Sequence, residues 1–141
     1  MSKIAVVFWS GTGNTEAMAE AVKACAKEKG AEVELFEAAD FDSAQAAKFD
    51  AVAFGCPAMG DEVLEEDEFQ PMFDAVKADL TNKQVALFGS YGWGDGQWMR
   101  DWEEDCKAAG ITLATDSVLS NEAPDDEAIE TCKALGAALS N

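Results

Sequence analysis

Residues 4–15 read IAVVFWSGTGNT. The first six form an unbroken apolar run rich in β-branched and aromatic side chains, which is typical of a strand buried on both faces of a sheet. Small and hydroxylic residues follow, and apolar residues then return at helical spacing from residue 14 onward. The pattern predicts a buried strand, a tight turn and a helix in direct succession.

The same alternation continues along the chain. Apolar or alternating runs predict four more strands, at residues 32–37, 50–55, 84–89 and 111–119, the first of them near a sheet edge because it alternates charged and apolar residues. Helical spacing predicts helices over residues 14–29, 69–76, 98–109 and 125–139, and residues 39–49 are ambiguous and could hold a short one. Strands that alternate with helices are joined by right-handed crossovers into a parallel sheet.

This order of elements predicts an α/β fold with one domain over residues 1–141. We expect a doubly wound, five-stranded parallel sheet in the order 2-1-3-4-5, with helices on both faces. Ligands of such sheets bind at the carboxyl ends of the strands, where the winding reverses. The loops after the first, third and fourth strands are therefore the candidate site, and they hold the unusual residues of the sequence.

The first of these loops has the composition of a phosphate cradle without a cation. Its side chains offer hydroxyl and amide groups, and its glycines allow the backbone to close around an anion at the start of a helix. The residues concerned are Ser10, Gly11, Thr12, Gly13, Asn14 and Thr15. The sequence lacks the lysine of a P-loop, the third glycine of a dinucleotide-binding fingerprint and the pattern of a nucleophile elbow. A capped helix start without a ligand is the structural alternative.

Three segments together resemble the FMN loops of the short-chain flavodoxins of anaerobic bacteria. They are residues 9–15 (WSGTGNT), 56–62 (CPAMGDE) and 89–96 (GSYGWGDG). They occur in the order that this family shows and on the predicted loops, and the resemblance covers essentially the whole chain. It implies a flavodoxin-like fold and a protein that carries single electrons on non-covalently bound FMN, without substrate turnover of its own.

By this resemblance, the second loop holds one side of the flavin ring. Met59 would cover the inner face, and the peptide between Gly60 and Asp61 would turn over beside N5 on reduction, which glycine permits. Glu62 would accept a hydrogen bond from the flavin N3–H. Taken alone, the segment is also typical of an ordinary turn with acids facing water. The contacts expected from this loop are Pro57, Ala58, Met59, Gly60, Asp61 and Glu62, although Pro57 cannot supply the hydroxyl that some relatives have at its position.

The third loop supplies the other side of the ring. Trp93 is the candidate for stacking on the outer face, with an anchoring role in the core as the alternative. Backbone N–H groups of this loop would bind the pyrimidine carbonyls, and Asn121 would lie near the ribityl chain by resemblance. Trp98 and Trp102 are four residues apart and are predicted to be core residues, and Trp9 at the strand end is expected to serve packing too. The contacts expected here are Ser90, Tyr91, Gly92, Trp93 and Asn121.

Charge and composition narrow the function further. The 28 acidic and 10 basic residues give a net charge of −18, which repels nucleic acid and anionic membranes. Such a surface would steer redox proteins with basic docking patches, and solubility is the plainer explanation. The absence of histidine excludes histidine-based triads, and the four cysteines form no Cys-x-x-Cys pair, which argues against zinc or iron–sulfur sites. No leader or membrane-length apolar run is visible, so we expect a cytoplasmic monomer.

The acids beside the second loop suggest how a bound flavin would be tuned. Negative charge disfavours an anionic hydroquinone, so we predict a low potential for the semiquinone/hydroquinone couple and a stabilised neutral semiquinone. Six acids crowd this region: Asp61, Glu62, Glu65, Glu66, Asp67 and Glu68. Two other functions stay open, namely an FMN-dependent quinone or azo reductase, which requires a nicotinamide site, and a receiver-type signalling module without a flavin.

Overall fold

The computed structural model describes residues 3–11, 13–59, 63–92 and 96–140. Its centre is a sheet of five strands, all parallel, in the order β2-β1-β3-β4-β5. The strands are β1 (Lys3–Phe8), β2 (Glu32–Glu37), β3 (Ala51–Gly55), β4 (Gln84–Tyr91) and β5 (Val118–Asn121). The predicted fold class and strand order are confirmed.

Helices cover both faces of this sheet. They are α1 (Asn14–Glu28), α2 (Ser43–Ala46), α3 (Phe69–Val76), α4 (Gln97–Ala108) and α5 (Asp126–Leu139), with 3-10 turns at Ala38–Asp40 and Lys77–Leu80. Side chains alternate along each central strand, so Ile4 and Val6 pack with α1 and α5 whereas Ala5 and Val7 pack with α3 and α4. The continuous apolar runs of the sequence thus result from burial on two faces.

One close approach fixes the spacing of α1 and α5. Gly136 of α5 is buried, and a β-carbon placed there would lie 2.4 Å from the carbonyl oxygen of Val22 on α1. Any side chain at this position would therefore collide with backbone rather than with a movable group. Glycine is required here by helix packing.

The bounds of β4 and β5 differ most from the sequence prediction. β4 continues to Tyr91, two residues beyond the predicted end, and β5 begins at Val118 instead of residue 111. Leu113 makes an isolated bridge to Val85, and the Ala114 N–H donates to the Val85 carbonyl (2.8 Å). The chain contacts the sheet at this point, leaves it over the polar residues 115–117 and pairs with it again at Val118. The predicted single strand is therefore an isolated bridge followed by a short strand.

The two edge strands of the sheet, β2 and β5, expose different side chains. β2 is an edge strand, as predicted, and its Glu32, Glu34 and Glu37 are exposed. β5 is the other edge, with Leu119 exposed. Within the described ranges, no helix is both long and apolar enough to cross a membrane.

Candidate functional site

A cleft of about 500 Å³ opens at the carboxyl ends of the strands. The loops after β1, β3 and β4 form it, as the reversal of winding predicts, and the residues after β5 complete it. The lining residues are Trp9, Gly11, Asn14, Pro57, Ala58, Met59, Ser90, Tyr91, Gly92, Glu122 and Ala123.

The loop after β1 is organised by the hydroxyl of Ser10. Its Oγ accepts a hydrogen bond from the Gly13 N–H (3.0 Å) and a longer one from the Glu16 N–H (3.4 Å). Gly13 has a φ of 93°, a left-handed conformation that favours glycine, and it directly precedes the first residue of α1. The loop therefore turns sharply into the helix, and the N-terminus of α1 faces the cleft through Asn14.

A buried hydroxyl pair connects this loop to the end of β4. Thr15 Oγ1 and Ser90 Oγ lie 2.9 Å apart, and their residues are only 1% and 4% exposed. The Ser90 carbonyl accepts a hydrogen bond from the Ala58 N–H at 2.9 Å. Ser90 therefore joins all three predicted loops, and it lines the cleft, whereas Thr15 lies behind it.

The second loop is closed by a pair of backbone hydrogen bonds. The Met59 N–H donates to the Val63 carbonyl (2.8 Å), and the Val63 N–H donates to the Met59 carbonyl (3.0 Å). Met59 lines the cleft, and its bridge partner Val63 is 40% exposed. The predicted contacts Gly60, Asp61 and Glu62 stand between the paired residues, outside the described part of the chain, as do Thr12 and Trp93 in the other loops.

Glu65, one of the six acids predicted to crowd the second loop, is buried at the start of α3. Its carboxylate is buried and accepts hydrogen bonds from the N–H groups of Asp67 (2.9 Å), Glu68 (2.8 Å) and Phe69 (2.8 Å), where α3 begins. Burial raises the pKa of this carboxyl, but the three donors outweigh it and hold the pKa below its usual value. Glu65 is a cap for α3 and not part of an exposed acidic cluster.

Cys56 is the buried support behind the same loop. Its Sγ accepts a hydrogen bond from the Glu65 N–H (3.4 Å), and its carbonyl accepts one from the Trp98 indole (3.1 Å). Burial raises the pKa of the Cys56 thiol above its usual range, so the thiol stays protonated. All four cysteines are free, and no group of acids and cysteines in the described ranges is arranged to hold a metal ion.

The last residue of β5 and the residue after it bond to the Tyr91 carbonyl. That oxygen accepts hydrogen bonds from the Glu122 N–H (2.7 Å) and, at 3.4 Å, from the Asn121 amide. Asn121 is exposed and is not among the residues that line the cleft, whereas Glu122 and Ala123 are. Glu122 has a φ of 58°, unusual for a residue with a side chain, and this turn brings the chain back to the cleft wall.

The tryptophans divide between core and site. Trp98 and Trp102 are buried, as predicted. Trp9 is half-buried and packs against the core, as predicted, and it also lines the cleft, where its Nε1 donates to Glu68 Oε1 (3.2 Å). Its place directly after β1 and before Ser10, within the segment that resembles an FMN loop, was the signal for a site role. Glu122 and Ala123 had no comparable signal, because only the returning chain places them at the cleft.

Comparison with known proteins agrees with this geometry. The family model described as flavodoxin matches residues 6–136. The flavodoxin of Clostridium beijerinckii is 44% identical over 137 residues, which cover 96% of this chain and 98% of that protein. The flavodoxin of Megasphaera elsdenii is 43% identical over 135 residues, covering 96% of both.

Solved structures give the same result. The solution structure of two-electron reduced Megasphaera elsdenii flavodoxin has a TM-score of 0.90 and 44% identity, and the match covers 97% of this chain and 98% of that one. A flavodoxin from the domain Archaea has a TM-score of 0.85 and 28% identity, with 98% and 96% covered. The chain therefore belongs to the flavodoxin family, whose members bind FMN and are electron carriers rather than enzymes.

Proposed function

We propose that this chain, as a single domain, carries single electrons at low potential on FMN held in the cleft at the carboxyl ends of the strands. The observation that carries the proposal is the cleft itself, where a phosphate-type loop and an apolar wall meet in one cavity. Its volume of about 500 Å³ lies within the range of cofactor sites. When bound, FMN supplies the one-electron chemistry, and the protein orients and tunes it.

The phosphate end of the cleft suits a dianion bound by neutral groups. The N-terminus of α1 adds positive potential, and the left-handed Gly13 turns the backbone into the helix. No lysine or arginine is among the described residues that line the cleft. The proposed phosphate-binding residues are Ser10, Gly11, Thr12, Gly13, Asn14 and Thr15, with Thr15 acting through its bond to Ser90.

The other end of the cleft suits a flat ring. Met59 offers a polarisable side chain and Tyr91 an aromatic one, and Gly92 leaves room for close approach of backbone donors. We add Trp9 to the contacts predicted from sequence, because its indole lines this cleft. The remaining proposed contacts are Pro57, Ala58, Gly60, Asp61, Glu62, Ser90, Trp93 and Asn121.

The low potential follows from charge. A negative charge on the reduced cofactor would lie in a cleft that Glu122 lines and that Glu68 borders. The protein as a whole has a net charge of −18. Negative charge placed among carboxylates without a nearby cation is unfavourable. We therefore propose that the semiquinone–hydroquinone couple is the one used.

Stepwise photoreduction of the FMN-loaded protein tests this proposal. We expect flavin absorption bands in the oxidised protein and a blue intermediate before full reduction. A direct transition to the fully reduced state would contradict it. Turnover of NADH with a quinone would favour a reductase instead. Exchange of Trp93 for alanine should weaken FMN binding markedly while leaving the fold intact by circular dichroism.

Redox proteins are the partners of an electron carrier, and we propose that these partners dock through basic patches. The support is the excess of acids over bases, which steers basic surfaces at long range. Bimolecular electron-transfer rates with a basic one-electron acceptor should fall as ionic strength rises. Rates that do not change with salt would contradict basic docking. The monomeric state and the cytoplasmic location remain predictions.

A further inference from the structure

A buried thiol lies directly beside the wall of the cofactor cleft. Cys56 is the first residue after β3 and is fully buried, and the three residues that follow it, Pro57, Ala58 and Met59, line the cleft. A buried free cysteine usually serves as a small apolar residue, and any residue of similar size could fill its space. The polar contacts of the sulfur indicate a more specific role for Cys56.

The sulfur of Cys56 is hydrogen-bonded on two sides. As a donor it lies 3.6 Å from the Pro57 carbonyl oxygen, and as an acceptor it lies 3.4 Å from the Glu65 nitrogen. Because burial holds the pKa of this thiol above its usual range, the proton for the first bond is present at neutral pH. One side chain therefore contacts the beginning of the second loop and the residue at which α3 is capped.

The first of these bonds helps to fix the peptide between Pro57 and Ala58. The carbonyl of this peptide accepts from the Cys56 thiol, and its N–H donates to the Ser90 carbonyl at 2.9 Å. The two polar groups of a trans peptide point in opposite directions, so this peptide cannot rotate without losing both bonds. Since Pro57 and Ala58 line the cleft, the orientation of their peptide determines the shape of the cleft wall.

The thiol and the Glu65 N–H are both attached to regular elements of the fold. The Cys56 N–H donates to the Phe88 carbonyl of β4 (3.2 Å), and the Cys56 carbonyl accepts from the Trp98 indole of α4 (3.1 Å). The Glu65 carbonyl accepts from the Gln70 N–H of α3 (2.8 Å). The contact between the thiol and the Glu65 N–H therefore joins the end of β3 to the start of α3, with the second loop between them.

We propose that Cys56 is a positioning residue for the cofactor, because its thiol fixes the Pro57–Ala58 peptide in the cleft wall and so presents Met59 to the flavin ring. Cys56 is not among the residues that line the cleft, so it acts through its neighbours. Without the thiol, the wall has to be ordered when the ring binds, and that entropic cost lowers the affinity. The proposal rests on the proposed function for the presence of a flavin in the cleft.

Two substitutions of Cys56, compared by fluorescence titration with FMN and with riboflavin, test this role. Cys56→Ala removes both bonds, whereas Cys56→Ser keeps a group that donates and accepts. We expect the Kd for each flavin to rise about two- to tenfold in the alanine variant and to return most of the way to the wild-type value in the serine variant. Riboflavin lacks the phosphate, so an equal rise for both ligands assigns the effect to the ring end of the cleft.

Cys132→Ala is the matched control for the loss of a buried thiol. Cys132 is as deeply buried as Cys56, but it lies on α5 in the core at the other face of the sheet. This variant should lose packing and stability while its Kd for both flavins stays close to the wild-type value. A similar rise in Kd for Cys132→Ala, a wild-type Kd for Cys56→Ala, or a serine variant no better than the alanine variant would each overturn the proposal.

Hydrogen exchange gives a second readout that does not need a flavin. The Met59 and Val63 amides donate to each other's carbonyls, and in the FMN-free protein they should exchange about two- to tenfold faster in Cys56→Ala than in wild type or Cys132→Ala. Unchanged exchange would show that the thiol does not hold this segment, and the proposal would be wrong.

Two further features keep the test decisive. Cys56→Val fills the space of the thiol without either bond, so it replaces the alanine variant if that variant does not fold, with the same expected results. If the wild-type protein binds neither flavin, the proposed function is wrong, whereas the exchange rates still decide whether the thiol positions the second loop.

Discussion

The hydroxyl groups of Thr15 and Ser90 lie 2.9 Å apart in the interior and connect the first turn of α1 to the end of β4. Both residues are nearly buried, so water can hardly replace the hydrogen bond between the two hydroxyls. Since the Ser90 carbonyl also accepts a hydrogen bond from the Ala58 N–H, this pair connects the loops after β1, β3 and β4 that form the cleft.

Thr15→Val tests this connection. Valine has nearly the same shape, but it leaves the Ser90 hydroxyl buried without this partner, which costs about 1–3 kcal/mol. We expect that loss in the free energy of unfolding, measured by urea denaturation of the FMN-loaded protein at fixed excess FMN. Thr131→Val on α5 is the control, because its exposed hydroxyl donates to the Glu127 carbonyl within the same helix. Equal losses in both variants would contradict the structural role of the pair.

Glu65→Gln should destabilise the protein in a pH-dependent way. The neutral amide accepts the three N–H groups at α3 less well than the carboxylate, and we expect a loss of about 1–3 kcal/mol at pH 7. Folding lowers the pKa of Glu65, so its contribution is complete above the unfolded value of about 4.3 and is lost as pH falls through the lower folded value.

Unfolding free energies from pH 7 to pH 3 measure this effect. The difference between wild type and Glu65→Gln should shrink toward acid pH. Glu130→Gln, on the exposed side of α5, is the matched control and should differ little from wild type at any pH. A Glu65 effect that is constant over the whole range would show that packing, and not the ionised carboxylate, is responsible.

Trp9 offers a test of the cleft wall. Trp9→Ala removes an aromatic surface from the cofactor cleft and should weaken FMN binding by about 0.5–1.5 kcal/mol, roughly a two- to tenfold rise in Kd. Trp9→Phe keeps a ring but loses the N–H bond to Glu68, and it should retain most of the affinity. Fluorescence titration of the apoprotein with FMN gives both constants. Wild-type affinity in the alanine variant would remove Trp9 from the site.

Gly136→Ala distinguishes helix propensity from helix packing. Alanine is intrinsically better than glycine inside a helix by about 1 kcal/mol, so propensity alone predicts a gain in stability. The new β-carbon would lie 2.4 Å from the Val22 carbonyl oxygen, and we expect a net loss of about 1–3 kcal/mol instead. Thermal and urea unfolding give the sign. Ala134→Gly, at an exposed position of α5, should lose about 1 kcal/mol by propensity alone.

The sequence predicted the sheet and its order because buried parallel strands leave a strong signal. The runs that became β1, β3 and β4 are apolar on both faces, and the glycines at residues 30 and 110 mark helix ends with positive φ. The prediction of one strand over residues 111–119 was wrong, because the same alternation of apolar residues covers an isolated bridge at Leu113 and a strand that begins at Val118. Hydrophobic period does not show whether neighbouring backbone is within hydrogen-bonding distance.

The candidate site was predicted as far as it lies on loops with unusual composition. Glycine, serine and threonine after β1 predicted a phosphate end, which stays a prediction, and the place of Trp9 directly before them could have indicated its position in the cleft wall. Glu65 resembled its acidic neighbours in sequence, and only the fold shows that its carboxylate caps α3. Glu122 reaches the cleft through a left-handed turn that glycine would have signalled and glutamate does not.

The outer edge of β2 has a consequence for how molecules of this protein meet one another. Its backbone N–H and carbonyl groups face away from the sheet and could pair with the same strand of a second molecule, the first step toward fibrillar aggregation. Glu32, Glu34 and Glu37 are exposed along this strand. Edge-to-edge pairing of two β2 strands would bring rows of like charges opposite each other. Their repulsion disfavours such pairing between two molecules of this protein.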